Sequence, residues 1–129
     1  TKLIDLATLT GACVMALGEQ VSGAVTNNDE FFNKLVEGNE RAGEMVWKMP
    51  STDYYKKMNE SKTADIKNSG GKLGGMMTAG LFVGSFLAKE IPWIHVDIAG
   101  TASVEKAYGY IKEGATGVMV KSLYYALAE

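Results

Sequence analysis

The chain has 129 residues, 47% of them hydrophobic and 22% charged, with a net charge of −2. This is at most the length of one ordinary globular domain, and the lack of a basic patch argues against nucleic acid as a partner. The single cysteine, Cys13, excludes an intrachain disulfide framework and fits a reducing cytoplasm.

Leu3 to Ala7 is a short apolar run, which predicts a strand buried inside a sheet. A strand this close to Thr1 leads to the expectation that the chain is the C-terminal piece of a larger protein. Residues 10–17, rich in small side chains, predict a short helix or turn. Gln20 to Asn27 predicts a second strand, in which Val21, Gly23 and Val25 alternate with polar neighbours. Asn27-Asn28-Asp29 offers an N-cap, and Phe31, Phe32, Leu35 and Val36 have amphipathic helical spacing up to about Glu40. Ala42-Gly43 ends that helix. Met45 to Pro50 is extended, and Ser51-Thr52-Asp53 caps a further helix ending near Ser61. Thr63 to Asn68 predicts a short strand or extended edge.

The glycine-rich stretch Ser69 to Gly75 leads into a helix expected from Met76 to Lys89, apolar nearly all round and therefore buried. Gly80, Gly84 and Ala88 give it one face almost free of side chains, which suits close approach by another element. The longest apolar run, residues 74–88, is shorter than the roughly 18 residues that span a bilayer, so no membrane segment is expected. Trp93 to Ile98 is the clearest strand. Residues 103–116 form a polar loop carrying Tyr108 and Tyr110, and a final helix covers 117–128. The order of elements predicts an α/β fold with about three strands contributed by this chain.

Four features could carry chemistry. Thr8-Leu9-Thr10-Gly11 is either a plain strand-to-helix turn or a ligand-facing backbone edge at the carboxyl end of a sheet. His95 and Asp97 lie two apart on one strand and share a face, but two ligands are too few for a metal site and no nucleophile stands near them in sequence. Cys13 follows a strand–turn junction, yet the second glycine of a nucleophile elbow is missing, and a buried cysteine in an apolar run is usually inert. Gly70 to Gly75 fails the phosphate-loop pattern because Lys72 is followed by Leu73.

Ile4-Asp5-Leu6-Ala7-Thr8-Leu9-Thr10-Gly11-Ala12 closely resembles a signature of the leucine aminopeptidase (cytosol aminopeptidase) family. Ala64-Asp65-Ile66-Lys67-Asn68, Trp93 to Ala102 and Gly114-Ala115-Thr116-Gly117 resemble further family segments, in the same order and across the whole chain. The resemblance implies a three-layer α/β/α fold with a mixed central sheet, of which residues 1–129 supply the C-terminal portion. It implies a metal-dependent peptidase with two divalent ions, zinc or manganese, in which a bridging water attacks the scissile carbonyl of a peptide. The family's Asn-Thr-Asp-Ala-Glu-Gly-Arg motif does not occur here. By this match the metal ligands, catalytic lysine and catalytic arginine lie upstream, and residues 1–129 hold no catalytic residue and no metal ligand. The resemblance further implies that the main chain of Thr8, Leu9 and Gly11 contacts substrate. Ala99 and Ala102 would line the pocket for the first side chain, with Ser69 at its border. Family members often carry larger apolar residues at the positions of Ser69 and Ala102. The remaining implications are peptide substrates, a cytoplasmic homo-oligomer (a hexamer), and an isolated segment without activity. A reading from another class is a noncatalytic oligomerisation module using the Gly80/Gly84/Ala88 face.

Overall fold

The computed structural model describes residues 1–128. Its main sheet has four strands, β1 (Leu3–Ala7), β2 (Val21–Thr26), β3 (Met45–Lys48) and β4 (Trp93–Asp97). They lie in the order β1-β4-β2-β3. β1 and β4 are parallel, β4 and β2 antiparallel, and β2 and β3 parallel, so the sheet is mixed. β4 is central because every residue of Trp-Ile-His-Val-Asp is buried, which only a strand covered on both faces allows.

The two faces carry separate cores. Ile94, Val96 and Ala24 pack with Phe31, Phe32, Leu35 and Met119, from α2 (Asp29–Ala42) and the approach to α5 (Val120–Leu127). Val25 and Trp93 point the other way and pack with Cys13 of α1 (Gly11–Leu17) and Met76 of α4 (Gly75–Gly84). α3 (Asp53–Met58) lies beside α4. The result is the three-layer α/β/α arrangement with a mixed sheet.

Local chemistry explains the helix limits. The Asn28 side chain accepts the Phe31 amide at 2.8 Å, and Asp29 and Glu30 complement the positive end of α2. Gly43 closes α2 at φ +71, a conformation that costs other residues strain. Glu44 then reaches across to accept the Met119 amide at 3.0 Å and the Ser122 hydroxyl, which fixes the start of α5.

Several expectations are corrected. Within residues 1–128, β1 pairs with β4 alone, and Leu3 and Leu6 are each 39% exposed. In β2 the polar Ser22 and Thr26 are as buried as their apolar neighbours, because they bond Thr101 and the Trp93 carbonyl. Residues 63–68 form bends and no strand; Lys67 donates to the Asn59 carbonyl instead of to a sheet. α4 stops at Gly84, five residues early, and the amides of Phe86 and Leu87 make tighter three-residue bonds. Phe86 is left 66% exposed. Residues 103–116 contain a small antiparallel ribbon, β5 (Ser103–Val104) with β6 (Gly114–Ala115). The last helix starts at Val120, because Met119 takes φ +70 and breaks the run from 117.

The small-residue face of α4 is occupied from within. A Cβ on Gly80 would lie 2.4 Å from Val25 Cγ2, and one on Gly84 would lie 2.5 Å from the Trp93 ring. The close approach is to this chain's own sheet, and Ala88 lies past the helix end. That face is therefore not available for oligomerisation.

Candidate functional site

The β1/β4 register pairs Leu3 with Trp93 and Ala7 with Asp97, so both strands end level. The Ile98 amide continues the ladder to the Ala7 carbonyl at 2.8 Å. The turns that follow, 8–11 and 98–102, thus emerge side by side at the carboxyl ends of adjacent parallel strands. This is the edge at which open α/β sheets bind ligands.

Asp97 joins the two turns. Its buried carboxylate accepts the amides of Leu9 (3.1 Å) and Thr10 (3.5 Å), the Thr10 hydroxyl (2.6 Å) and the Ala99 amide (3.1 Å). The Thr10 hydroxyl oxygen also accepts the Cys13 amide at 3.0 Å and so caps α1. Thr8, Leu9 and Gly11 are exposed around this buried anchor, while Ala99 and Ala102 are half-buried across from them. Leu9 and Ser69 line one cavity of about 230 Å³ together with Thr10, Asn59, Gly70 and Thr78. Ala99 and Ala102 are not among its lining residues. A larger cavity, about 550 Å³, lies between Glu19, Glu44, Tyr108, Tyr110 and Lys121 and includes none of the six predicted site residues. The larger cavity therefore lies apart from the paired strand ends.

Asn59 and Thr78, which the sequence does not single out, also line the smaller cavity. Asn59 is 4% exposed, donates to the Thr78 carbonyl at 2.8 Å, and has no partner on Oδ1 among the described residues. It comes from the end of α3, 50 residues from Leu9, and no local pattern links the two.

His95 and Asp97 share a face, and both are already engaged. His95 Nδ1 lies 2.5 Å from Asp5 Oδ1, and the Trp93 indole N–H donates to Asp5 Oδ2 at 2.7 Å. Cys13 is 1% exposed, and its Sγ donates to the Asp97 carbonyl at 3.7 Å. Burial, reinforced by the Asp97 charge, pushes its thiol above the usual range, opposite to what a nucleophile requires. Among the described residues no group of three or more His, Cys, Asp or Glu side chains is placed to hold a metal ion. With His95 and Asp97 committed to internal hydrogen bonds, these residues do not fit a metal centre. No helix among the described residues is long and apolar enough to cross a membrane.

Comparison with known proteins gives the same outline. A probable cytosol aminopeptidase of Treponema denticola is 79% identical over 130 residues, covering 100% of this chain and 27% of that protein. One from Alkaliphilus metalliredigens is 50% identical over 124 residues, covering 96% of this chain and 25% of that protein. This chain thus spans about a quarter of the length of these curated relatives. The bottromycin maturation enzyme BotP in complex with Mn superposes with a TM-score of 0.92 at 32% identity, over 97% of this chain and 28% of that one. A mutant tomato leucine aminopeptidase gives 0.88 at 40% identity, over 97% and 24%. The family model described as "Cytosol aminopeptidase family, catalytic domain" matches residues 1–124, and the chain belongs to that family.

Proposed function

We propose that residues 1–129 are the C-terminal part of the catalytic domain of a metal-dependent leucine-type aminopeptidase, which hydrolyses N-terminal residues from peptides. In this reading the segment supplies the backbone edge that holds the peptide, at Thr8, Leu9 and Gly11. It also supplies part of the first side-chain pocket, at Ala99 and Ala102 with Ser69 at the border. The observation that carries the reading is the level ending of β1 and β4, with exposed turns on either side of one buried carboxylate. A peptide main chain presents the same amide groups whatever its side chains, so a backbone edge suits a broad range of peptides.

The two ions, zinc or manganese by family resemblance, are assigned to residues outside this segment, which is inactive alone. The manganese in the BotP complex supports a metal requirement. Cytoplasmic location rests on the lone cysteine and on the relatives' printed name. Assembly as a homo-oligomer, a hexamer, rests on the family resemblance. A noncatalytic assembly module is the weaker reading, since the α4 face that suggested it is filled by the sheet.

Specificity kinetics test the pocket assignment. In the full-length protein, Ala99→Trp or Ala102→Trp is expected to reduce kcat/KM for leucyl peptides at least about tenfold more than for alanyl peptides, because a pocket discriminates by the volume it leaves. The variants must retain their fold and metal, since overpacking also destabilises. Equal losses on both substrates would remove these residues from the pocket.

A further inference from the structure

We propose that Asp97 is a positioning residue for this reaction: one buried carboxylate sets the spacing between the substrate-holding turn at Leu9 and the pocket turn at Ala99. The inference rests on the peptidase reading above and deepens it.

The geometry is specific. Asp97 is 0% exposed and is the last residue of β4. A carboxylate buried this fully is retained only where hydrogen bonds replace its lost water. Here all of them come from the two turns. Oδ1 takes the amides of Leu9, Thr10 and Ala99, and Oδ2 takes the Thr10 hydroxyl. The chain separation between its partners is near 90 residues, so no local turn could hold them together. Thr10 in turn caps α1 through the Cys13 amide, which ties the edge to a helix docked on the sheet. The Thr10 hydroxyl bond, at 2.6 Å, has the short length of a charge-assisted bond, and a displacement of about 1 Å in a substrate-positioning group can cost about a hundredfold in rate. Asp97 itself is covered by the turns it holds, so it acts through Leu9 and Ala99 and not by contact with the peptide.

The test uses the full-length protein with its metals, with Asp97→Leu, Asp97→Asn and Thr10→Val, and peptide hydrolysis as readout. Leucine matches the aspartate in shape but accepts no hydrogen bond. Asparagine keeps one oxygen for the three amides and loses the acceptor for the Thr10 hydroxyl. Per folded, metal-loaded molecule, kcat is expected to fall about a hundredfold in Asp97→Leu and about tenfold in Asp97→Asn and Thr10→Val, with KM changed less than threefold. A residue with a merely structural role would lower the urea midpoint and leave kcat of the folded molecules unchanged. A folded Asp97→Leu within threefold of wild-type kcat overturns the proposal. If that variant does not fold, kcat of Asp97→Asn within twofold of wild type overturns it. A wild-type protein that releases no N-terminal residues overturns the peptidase reading, and this inference with it.

Discussion

Gly11→Ile in the full-length protein is expected to reduce kcat/KM for leucyl peptides by at least about a hundredfold, close to 2.7 kcal/mol of transition-state stabilisation, while stability is unchanged or slightly improved. The separation of the two effects follows from where Gly11 sits. It is the first residue of α1, directly after the Thr10 cap, and its φ lies outside the left-handed region. A side chain is therefore compatible with its backbone, and replacing glycine at such a site usually adds about 0.4–1 kcal/mol by restricting the unfolded chain. A Cβ there meets nothing within 4 Å among the described residues. The new side chain thus enters open space at the exposed Thr8–Gly11 turn, where the substrate main chain is proposed to lie. Urea unfolding and steady-state kinetics on the same preparation measure both halves. Full activity in a stable Gly11→Ile protein would remove this turn from the substrate site.

Asp5→Ala is expected to produce the largest loss of stability, about 2–6 kcal/mol, because it strips two buried groups of one shared partner at about 1–3 kcal/mol each. Asp5 lies on β1, and its carboxylate points under α4. There it takes the Trp93 indole N–H at 2.7 Å and pairs with His95 Nδ1 at 2.5 Å. Trp93 is 3% and His95 0% exposed, so both groups that share Asp5 are buried, while the Asp5 side chain itself is 27% exposed. His95 Nε2 already lacks a partner among the described residues, which leaves no alternative for that ring. Asp5→Asn, which keeps one acceptor oxygen, should lose roughly half as much. Equilibrium urea unfolding checks both variants; a loss below about 1 kcal/mol in Asp5→Ala would mean that the Asp5–His95–Trp93 cluster does not anchor β1 to β4.

What the sequence shows depends on how local each determinant is. The strands at 3–7, 21–26 and 93–97 and the helix capped by Asn28 follow from short apolar runs and cap chemistry, and they lie within a residue or two of expectation. Helix ends set by distant packing were not legible. α4 runs out after Gly84 settles on the Trp93 ring, and nothing in residues 85–89 announces it. The stretch at 63–68 had strand-like composition but no strand to pair with, so its amides bond elsewhere. The site shows the same division. The turn at Thr8 to Gly11 could be picked out from its small residues, and the Trp93–Ala102 segment from its resemblance. That one carboxylate, Asp97, would hold the two together depends on the β1/β4 register, and periodicity does not encode register between strands nearly 90 residues apart. The spacing of His95 and Asp97 correctly put them on one face, but their partners, Asp5 and Thr10, come from the neighbouring strand and the turn after it.

In the proposed function this segment holds substrate for chemistry supplied by the rest of the protein. Release of leucine from a leucyl peptide, measured with and without added manganese or zinc, tests it most directly when the full-length protein is compared with residues 1–129 alone. Metal-dependent turnover is expected from the full-length protein and none from the isolated segment. Metal-dependent turnover by residues 1–129 at a comparable rate, or no release of N-terminal residues by the full-length protein, would contradict the proposed function.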